Sequence, residues 1–363
     1  MKAAIHNVGA FIKKQPRKRI ILVSILTVLA IAAITFALTL FKVTNSVGNA
    51  FQGNAVQAIT THDPLKQDAD GRTSILIFGD SSDDPGHGGA LLSDSIMVLT
   101  IDQKTHKAHS LSVPRDLWVQ YGMACSNGSE GKINAYYQCA LKNNGHNPDE
   151  AGKAFAQKVG SILGVDLQYY AKVNYGFVKE AVDAVGGVDV VIKSDDPRGI
   201  LDRNFDSKCP DGPYTCYYVK YENGPVHLDG IHALYLSRAR NAKGGYGLPQ
   251  SNFDREVNQQ LIMNALQKKA LSLGILGNPL NVIKLADSFG NNISTNIQTS
   301  EIRSAVEALK AIGTDTITSI ALNDADAPLV TTGSQSGQSI VLPTAGLYSY
   351  EQIQSTLQKA LAK

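Results

Sequence analysis

Short apolar runs and amphipathic segments alternate along most of the chain. Residues 74–79 and 95–101 are mostly apolar and rich in β-branched side chains, which is typical of strands covered on both faces of a sheet. Residues 109–113 alternate more between polar and apolar positions, as strands with one buried face do. This region is therefore predicted to supply the first strands of a sheet.

Helical periodicity follows these strands. Apolar residues recur every three or four positions over residues 149–163, 177–185 and 253–272, which predicts helices with one buried face. This alternation of strands and helices predicts the α/β fold class, with a mixed central sheet between helices. The further elements expected are a helix end leading into a strand over residues 184–192, a strand over residues 315–322 and a helix over residues 350–361.

A longer apolar run lies near the N-terminus. Residues 20–41 contain no charge, glycine or proline, and as a helix they would rise about 33 Å, enough to cross the hydrocarbon core of a membrane. A cluster of basic residues precedes the run, whereas only Lys42 follows it closely. The positive-inside rule therefore places the N-terminus in the cytoplasm. The basic residues that precede the run are Lys13, Lys14, Arg17, Lys18 and Arg19.

This run predicts a single-pass anchor in the cell membrane. We expect residues 1–19 to be cytoplasmic, residues 20–41 to form a transmembrane helix, residues 42–72 to form an extracytoplasmic tether, and residues 73–363 to form one α-β-α sandwich domain outside. A buried core helix and a cleaved signal peptide are the alternatives. The run is longer than a typical signal core and lacks a convincing small-x-small site at its end, which favours the uncleaved anchor.

Composition narrows the class further. With 43% hydrophobic and 18% charged residues and a formal net charge of +2, the chain is an ordinary globular protein rather than a bulk nucleic-acid binder. Its basic N-terminal residues are explained by topology, so no nucleic-acid partner is expected.

The four cysteines all lie on the predicted external side, where an oxidising environment favours disulfides. Three pairings are open, and proximity in sequence favours Cys125 with Cys139 and Cys209 with Cys216. Neither pair has the spacing of a zinc site.

Two carboxylates lie where predicted strands meet a loop. Asp80 ends the first strand, and Asp94 begins the second strand after a loop that contains several glycines. Neighbouring strand ends would bring the two carboxylates together, and Mg²⁺ commonly takes one or two protein carboxylates and leaves its other positions to water and phosphate. The alternative is ordinary turn chemistry, because Asp and Gly are common turn residues.

Several arginines also follow predicted elements. Arg115 follows a strand, Arg238 and Arg240 follow an apolar run, and Arg255 shares one helix face with Gln259. Arg238 and Arg240 point the same way only if that stretch is extended. A guanidinium matches phosphate oxygens, so convergent arginines and a metal would describe a pyrophosphate site. Surface solubility is the alternative role for each arginine taken singly.

These residues belong to sequence blocks that occur in a fixed order. The blocks are Gly79-Asp80, Ser93-Asp-Ser-Ile-Met-Val-Leu-Thr-Ile-Asp102, Ser112-Val-Pro-Arg-Asp116, Lys132-Ile-Asn-Ala-Tyr136, Asp183-Ala-Val-Gly-Gly-Val-Asp189, Leu228-Asp-Gly230, Ser237-Arg-Ala-Arg240 and Asn252-Phe-Asp-Arg-Glu-Val-Asn-Gln-Gln260. Together they resemble the LytR-CpsA-Psr family over most of residues 73–271.

The resemblance implies an extracytoplasmic phosphotransferase that moves a glycopolymer phosphate from a polyprenyl-pyrophosphate lipid to peptidoglycan, with an apolar tunnel for the lipid. Asp80 and Asp94 would hold Mg²⁺ or Mn²⁺. The residues implied to bind the pyrophosphate are Arg115, Lys132, Arg238, Arg240, Arg255 and Gln259. The four arginines among them are also the implied catalytic residues.

Some positions depart from the family pattern. Asn252 stands where the family often has Asp, and Asn258 stands where it often has Arg. Leu91 and Leu92 occupy a stretch in which the family usually has an arginine. The loss of one carboxylate and two cations is expected either to weaken catalysis or to change the donor.

Two other functions remain open. A membrane-tethered protein that binds lipid-pyrophosphate glycans without transferring them would explain the departures. An esterase is a weaker alternative: Gly79-Asp-Ser81 begins a GDS-type block, and Asp229 and His232 have the spacing of a triad pair. The chain contains no Walker loop, no strand-linked G-x-G-x-x-G and no H-E-x-x-H signature.

Overall fold

The structure is a computed structural model that describes residue 52 and residues 61–80, 91–126, 128–203, 219–240, 244–272, 292–312, 317–323 and 327–362. The strands in these residues are β1 (Arg72–Asp80), β2 (Ser93–Asp102), β3 (Ala108–Ser112), β4 (Trp118–Cys125), β5 (Gly128–Lys132), β6 (Tyr169–Val173), β7 (Val188–Ile192), β8 (Ile200–Asp202), β9 (Val219–Tyr221), β10 (Gly224–Leu228), β11 (Ile293–Thr295), β12 (Ile317–Ile320), β13 (Val330–Gln335) and β14 (Gln338–Pro343). The helices are α1 (Tyr136–Asn143), α2 (Pro148–Leu163), α3 (Tyr175–Ala184), α4 (Gly230–Leu236), α5 (Asn252–Ser272), α6 (Ile302–Ile312) and α7 (Glu351–Leu361).

A six-stranded mixed sheet organises the fold. Its order is β11-β6-β1-β2-β3-β12. The pairs β1–β6 and β3–β12 are parallel, whereas β1–β2, β2–β3 and β6–β11 are antiparallel. The predicted α/β class with a mixed central sheet is therefore confirmed.

The main hydrophobic core covers one face of this sheet. Leu76 and Phe78 alternate with less buried residues along β1, as the two-residue period of a strand requires. The Phe78 ring lies 4.9 Å from the ring of Tyr137 in α1 and 5.0 Å from the ring of Phe155 in α2. Burial of these aromatic side chains holds both helices against the sheet.

The local sequence explains where helix α2 begins and ends. The Asn147 side chain accepts hydrogen bonds from the first-turn amides of Asp149 and Glu150, and Pro148 occupies a first-turn position that lacks an intrahelical donor bond. Gly164 ends the helix in the left-handed conformation, which glycine adopts without strain.

A second hydrophobic core lies around the β7–β10 pair and helices α3, α4 and α5. Val182, Val188, Leu236 and Ile262 are among its buried members. The strand predicted at residues 184–192 is thus present as β7, but it pairs with β10 in a separate two-stranded sheet. Phe253, at the start of α5, packs on the first core, so α5 connects the two cores.

The last residues of the predicted tether are packed on the domain. Leu65 is buried in a small cluster with Tyr169, and the main-chain amide of Lys66 donates to the Tyr169 hydroxyl at 2.8 Å. The folded unit therefore begins before residue 73, because apolar contacts from the preceding segment complete this edge. Gln52 also forms a parallel bridge with Gln298.

The predicted membrane anchor, residues 20–41, lies outside the described residues. Among the residues described, no helix has both the length and the apolar character to cross a membrane. The structure joins Cys125 to Cys139, with 5.5 Å between their Cα atoms. The other predicted pair, Cys209 and Cys216, is not among the described residues.

Candidate functional site

The two predicted metal carboxylates lie at one end of the central sheet, on adjacent strands. In the β1–β2 ladder Gly79 faces Ser95 and Asp80 faces Ser93, which leaves Asp94 as the extra residue of a β-bulge. A bulge re-aims side chains and is common beside functional sites. Sequence reasoning placed both residues at strand ends, but it did not predict the bulge.

Asp80 is fully buried and forms an ion pair with Lys172 of β6, with 3.0 Å between the carboxylate oxygen and Nζ. The Lys172 ammonium also lies 6.0 Å from the centre of the Tyr137 ring. Burial, with a contribution from Asp80, raises the pKa of Tyr137 to about 12. Lys172 was not predicted as a site residue, because nothing local in the sequence shows that β6 neighbours β1.

Asp94 connects two of the predicted arginines. Its carboxylate forms an ion pair with Arg115, and its carbonyl oxygen accepts a hydrogen bond from Arg255 at 3.2 Å. Arg255 is only 6% exposed. Burial lowers the pKa of Arg255 to about 10, nearby Arg115 and Arg240 lower it as well, and Asp94 opposes them. Arg255 still carries its charge at neutral pH.

The Asp116 carboxylate contacts side chains from three segments of the chain. Its carboxylate lies 2.9 Å from Lys132 Nζ at the end of β5 and accepts a hydrogen bond from Asn252 Nδ2 at 2.8 Å at the start of α5. Arg115 Nε is 3.8 Å from the same carboxylate. Asp116 was not predicted as a site residue either, although it stands within one of the sequence blocks.

Hydrogen bonds also fix the main chain at Arg115 and Asp116. The carbonyl of Asp116 accepts from the amide of Val341 in β14 at 2.9 Å, and the carbonyl of Arg115 accepts from the amide of Asn134 at 3.2 Å. These bonds anchor the connection between β3 and β4 on both sides. The Arg115 side chain therefore starts from a well-defined backbone position.

Glu256 is a third carboxyl group close to this cluster. Burial raises its pKa to about 8; Asp116 raises it too, whereas Arg255 and Arg115 oppose the shift. A perturbed carboxyl group among cations is a common feature of functional sites. Glu256 was not predicted as a site residue, since its neighbours come from distant parts of the chain.

Arg238 and Arg240 lie in a turn, not in the extended stretch that would align them. The amides of Arg238 and Ala239 donate back to the carbonyls of Tyr235 and Leu236, each at 3.1 Å, so the chain continues to curl after α4. The Arg238 guanidinium lies over the Tyr175 ring, 4.7 Å from its centre. The main-chain amide of Arg240 donates to the buried carboxylate of Asp202.

Gln259 links this turn to α5, because its side-chain amide donates to the carbonyl of Ser237 at 3.2 Å. The structure therefore brings Asp94, Arg115, Lys132 and Arg255 into one network, with Arg240 within electrostatic range of Arg255. Arg238 is joined to that network through the turn and Gln259.

Five of the eight buried side-chain atoms that lack a hydrogen-bond partner in the described residues belong to this network or to residues beside it in the chain. Native proteins rarely leave such atoms unsatisfied, so their clustering indicates a polar ligand. The nitrogens would suit an anion such as pyrophosphate. The atoms are Ser93 Oγ, Arg115 Nε, Asn252 Oδ1, Arg255 Nε and Asn258 Nδ2.

Oxygen atoms that could bind a divalent cation also lie at this end of the sheet. Asp80, Asp94 and the buried Ser93 hydroxyl are hard oxygen ligands on adjacent strands, which suits Mg²⁺ or Mn²⁺ bound mainly by water and phosphate. Within the described part of the chain no cluster of three or more Asp, Glu, His or Cys residues could hold a metal. The donor set thus fits a metal that takes few protein ligands.

The Asp229–His232 pair of the esterase alternative has a structural role. The Asp229 carboxylate accepts from the amide of His232 at 3.0 Å and lies 2.6 Å from Nδ1 of the same ring, which caps the start of α4. Both side chains are 56% exposed. Ser81 lies outside the described residues.

Together the fold and the site describe an α/β protein with a cationic, carboxylate-bordered site at one end of its sheet. The model of the LytR_cpsA_psr family matches residues 35–357. The chain belongs to this family, the LytR-CpsA-Psr family.

Named relatives support the same assignment. The chain is 28% identical over 250 residues to the polyisoprenyl-teichoic acid–peptidoglycan teichoic acid transferase TagU of Bacillus mycoides (strain KBAB4), covering 65% of this chain and 68% of that protein. It is 31% identical over 229 residues to the corresponding transferase TagV of Bacillus subtilis (strain 168), covering 63% of this chain and 50% of TagV. The chain thus matches half the length of TagV.

Solved structures share the fold. The crystal structure of B. subtilis TagV aligns with a TM-score of 0.56 at 24% identity, covering 81% of this chain and 99% of that one. A structure of TagT bound to LIIa-WTA aligns with a TM-score of 0.56 at 20% identity, covering 83% of this chain and 100% of that one. At these identities the likeness shows the fold alone.

Proposed function

We propose that this protein is a membrane-anchored extracytoplasmic phosphotransferase that moves a glycopolymer phosphate from a polyprenyl-pyrophosphate carrier to peptidoglycan. The observation that carries the proposal is the network of Asp94, Arg115, Lys132 and Arg255, in which the buried Nε atoms of both arginines have no hydrogen-bond partner among the described residues. Family membership and relatives named as teichoic acid transferases support the same chemistry.

The proposed roles follow from charge. Arg115, Lys132, Arg240 and Arg255 would bind the pyrophosphate oxygens. Arg238 from the turn after α4 and Gln259 from α5 would add further contacts to the same group. In the transfer, an acceptor hydroxyl oxygen bonds to the phosphorus that carries the glycan, the hydroxyl proton passes to water, and the bond to the bridging oxygen breaks. The lipid phosphate leaves with negative charge, which the arginines stabilise in place.

We propose that Asp80 and Asp94 hold Mg²⁺ or Mn²⁺. The donor set described above supports this proposal, and so does the closeness of the carboxylates to the arginine network. The metal would supply charge neutralisation at the phosphate oxygens. Lys172 and Arg115, which pair with these carboxylates in the structure, would then be available to phosphate.

We also propose that residues 20–41 anchor the chain in the cell membrane with the domain outside. The length of the apolar run and the charge asymmetry around it support this topology. The Cys125–Cys139 crosslink suits an oxidising compartment. The anchor would hold the site where a lipid-borne donor meets the wall.

The proposal is tested by incubating the full chain in detergent with Mg²⁺, a lipid-pyrophosphate oligosaccharide and peptidoglycan. Glycan joined covalently to peptidoglycan is the expected product. Free glycan phosphate would instead indicate hydrolysis. Donor that is bound but unchanged would indicate a binding protein, the alternative that the Asn252 and Asn258 departures favour.

Arginine variants test the site assignment in the same assay. Arg238→Ala and Arg240→Ala should each lower turnover by roughly tenfold or more, since charge-assisted bonds to phosphate are lost. Arg303→Ala is the matched control, because Arg303 is an exposed residue of α6 that pairs with Glu307. Unchanged turnover and lipid binding in both site variants would show that the assignment is wrong.

A further inference from the structure

Asp116 lies where the two groups of proposed pyrophosphate ligands meet. Arg115 and Lys132 belong to the β3–β5 region, whereas Arg255 and Gln259 belong to α5. The carboxylate of Asp116 contacts Arg115 and Lys132 from the first group. Its remaining contact is the 2.8 Å hydrogen bond from Asn252, which stands at the start of α5.

The residue type at position 252 matters for this contact. An amide can donate to a carboxylate, whereas a carboxylate cannot. An aspartate at position 252 would bring two negative groups to hydrogen-bond distance in a partly buried place, where their repulsion is strong. Asn252 departs from the family pattern in a way that is complementary to Asp116.

The charged surroundings favour the same arrangement. The ionisable groups around the pair are Arg115 and Lys132 from the β3–β5 region and Arg255 and Glu256 from α5. Without a carboxylate at position 116, Lys132 would lose its ion pair, and Arg115 would keep, among the described residues, only its ion pair with Asp94. Both cations would then be less fixed in direction.

We infer that Asp116 and Asn252 form a positioning pair that ties α5 to the β3–β5 region and so sets the spacing between the two groups of pyrophosphate-binding cations. The inference rests on the proposed function, because it assigns the pair a role in binding the same ligand. Neither residue is a catalytic residue in this scheme. Each acts through the cations that it orients.

The pair is tested by exchanging its members. The probe is geranyl pyrophosphate with Mg²⁺, titrated calorimetrically into the full chain in detergent. Asp116→Asn and Asn252→Asp should each weaken binding by roughly tenfold. The first removes the negative charge that pairs with Lys132 and Arg115, and the second places two carboxylates at hydrogen-bond distance. The double variant Asp116→Asn/Asn252→Asp should recover most of the affinity, since an amide and a carboxylate again face each other and Lys132 retains a nearby acid.

The pH dependence distinguishes a pairing role from a general loss of structure. The Asn252→Asp defect should shrink as the pH is lowered, because one of the two facing carboxyl groups then takes up a proton and can donate to the other. Asn223→Asp is the matched control, since Asn223 lies in an exposed turn between β9 and β10 and bonds to main-chain carbonyls of Ser194 and Asp196. Its binding should equal that of the unchanged protein at every pH.

Three results would overturn the inference. These are single variants that bind as tightly as the unchanged protein, an exchange variant that binds no better than the weaker single variant, and an Asn252→Asp defect that does not vary with pH. Thermal unfolding of each variant separates lost binding from lost folding. An unchanged protein that unfolds normally but does not bind the probe would instead overturn the proposed function, and this inference with it.

Discussion

Three carboxylates at one end of the sheet each hold a cation from a different segment of the chain. Asp80 pairs with Lys172, Asp94 with Arg115, and Asp116 with Lys132. Such pairing is needed because an isolated charge loses much of its hydration when it is buried. The consequence for function is that the cations are held in place before any phosphate is bound.

The Asp80–Lys172 pair should matter for stability. Lys172→Met would leave the fully buried Asp80 without this cation, and breaking one partner of a buried pair costs about 3–5 kcal/mol. Thermal or denaturant unfolding of the full chain measures the loss. Lys172→Arg is the matched control and should lose much less, because it keeps the charge. Equal stability of Lys172→Met and the unchanged protein would contradict this prediction.

Glu256 should make stability depend on pH. Its pKa rises from an ordinary value of 4.5 to about 8 in the folded protein, so the folded state holds the proton more tightly than the unfolded state does. Stability contributed by this group is therefore present below about pH 4.5 and falls as the pH rises toward about 8.

Glu256→Gln should abolish this dependence, since glutamine does not titrate. The variant should gain stability relative to the unchanged protein between pH 5 and pH 8, approximately the window set by the two pKa values. Melting temperatures measured across that range check the prediction. A constant difference between the two proteins at every pH would refute it.

At the scale of elements, α5 connects the site to both cores. Phe253 packs on the core beneath the central sheet, Arg255 reaches Asp94, and Ile262 is buried in the second core. Gln259 then bonds to the turn that carries Arg238. A single helix thus fixes the spacing of the α5 ligands relative to one another, because its residues follow at regular intervals.

Helix α2 offers a test of packing at the same scale. Glycine to alanine in a helix usually stabilises a protein by about 1 kcal/mol. At Gly152 a Cβ atom would lie 2.5 Å from the Tyr170 ring, so Gly152→Ala should instead destabilise the protein by roughly 1–3 kcal/mol. Tyr170→Leu should reduce that penalty in a double-mutant cycle. Independent effects of the two substitutions would argue against the contact.

The Cys125–Cys139 disulfide also connects secondary-structure elements. It ties the end of β4 to α1, and the β4–β5 hairpin ends at Lys132. Replacing both cysteines with serine should lower stability by about 3 kcal/mol, as expected for a closed loop of this size. The unchanged protein under reducing conditions should lose at least as much stability, since the predicted Cys209–Cys216 pair would be reduced as well. A reductant that leaves its melting temperature unchanged would count against the crosslink.

At the scale of the whole molecule, the site lies between two hydrophobic cores that α5 joins. A ligand bound there should stabilise both cores in one unfolding transition. Geranyl pyrophosphate at about a hundred times its dissociation constant, at a constant Mg²⁺ concentration, should add about 2.7 kcal/mol. Calorimetry would show one transition shifted upward. A shift in only part of the unfolding signal would indicate that the ligand contacts a single core.

Much of the fold could be predicted from local patterns. The helix predicted at residues 253–272 is Asn252–Ser272 in the structure, and the strand predicted at residues 95–101 lies within Ser93–Asp102. These predictions succeed because the apolar period acts over a few neighbouring positions. The arrangement of β7 beside β10 was not predictable in this way, because strand pairing depends on distant contacts.

The candidate site, too, could be predicted only in part from the sequence. The sequence by itself determined which residues carry charge, such as Arg115, Arg255 and Asp94, and placed them at the ends of elements. Only the tertiary structure decided that Lys172 faces Asp80, that Asp116 accepts a hydrogen bond from Asn252, and that Arg238 lies in a turn. The physical reason is that charge pairing depends on which segments become neighbours, and the packing of the two cores sets those neighbours.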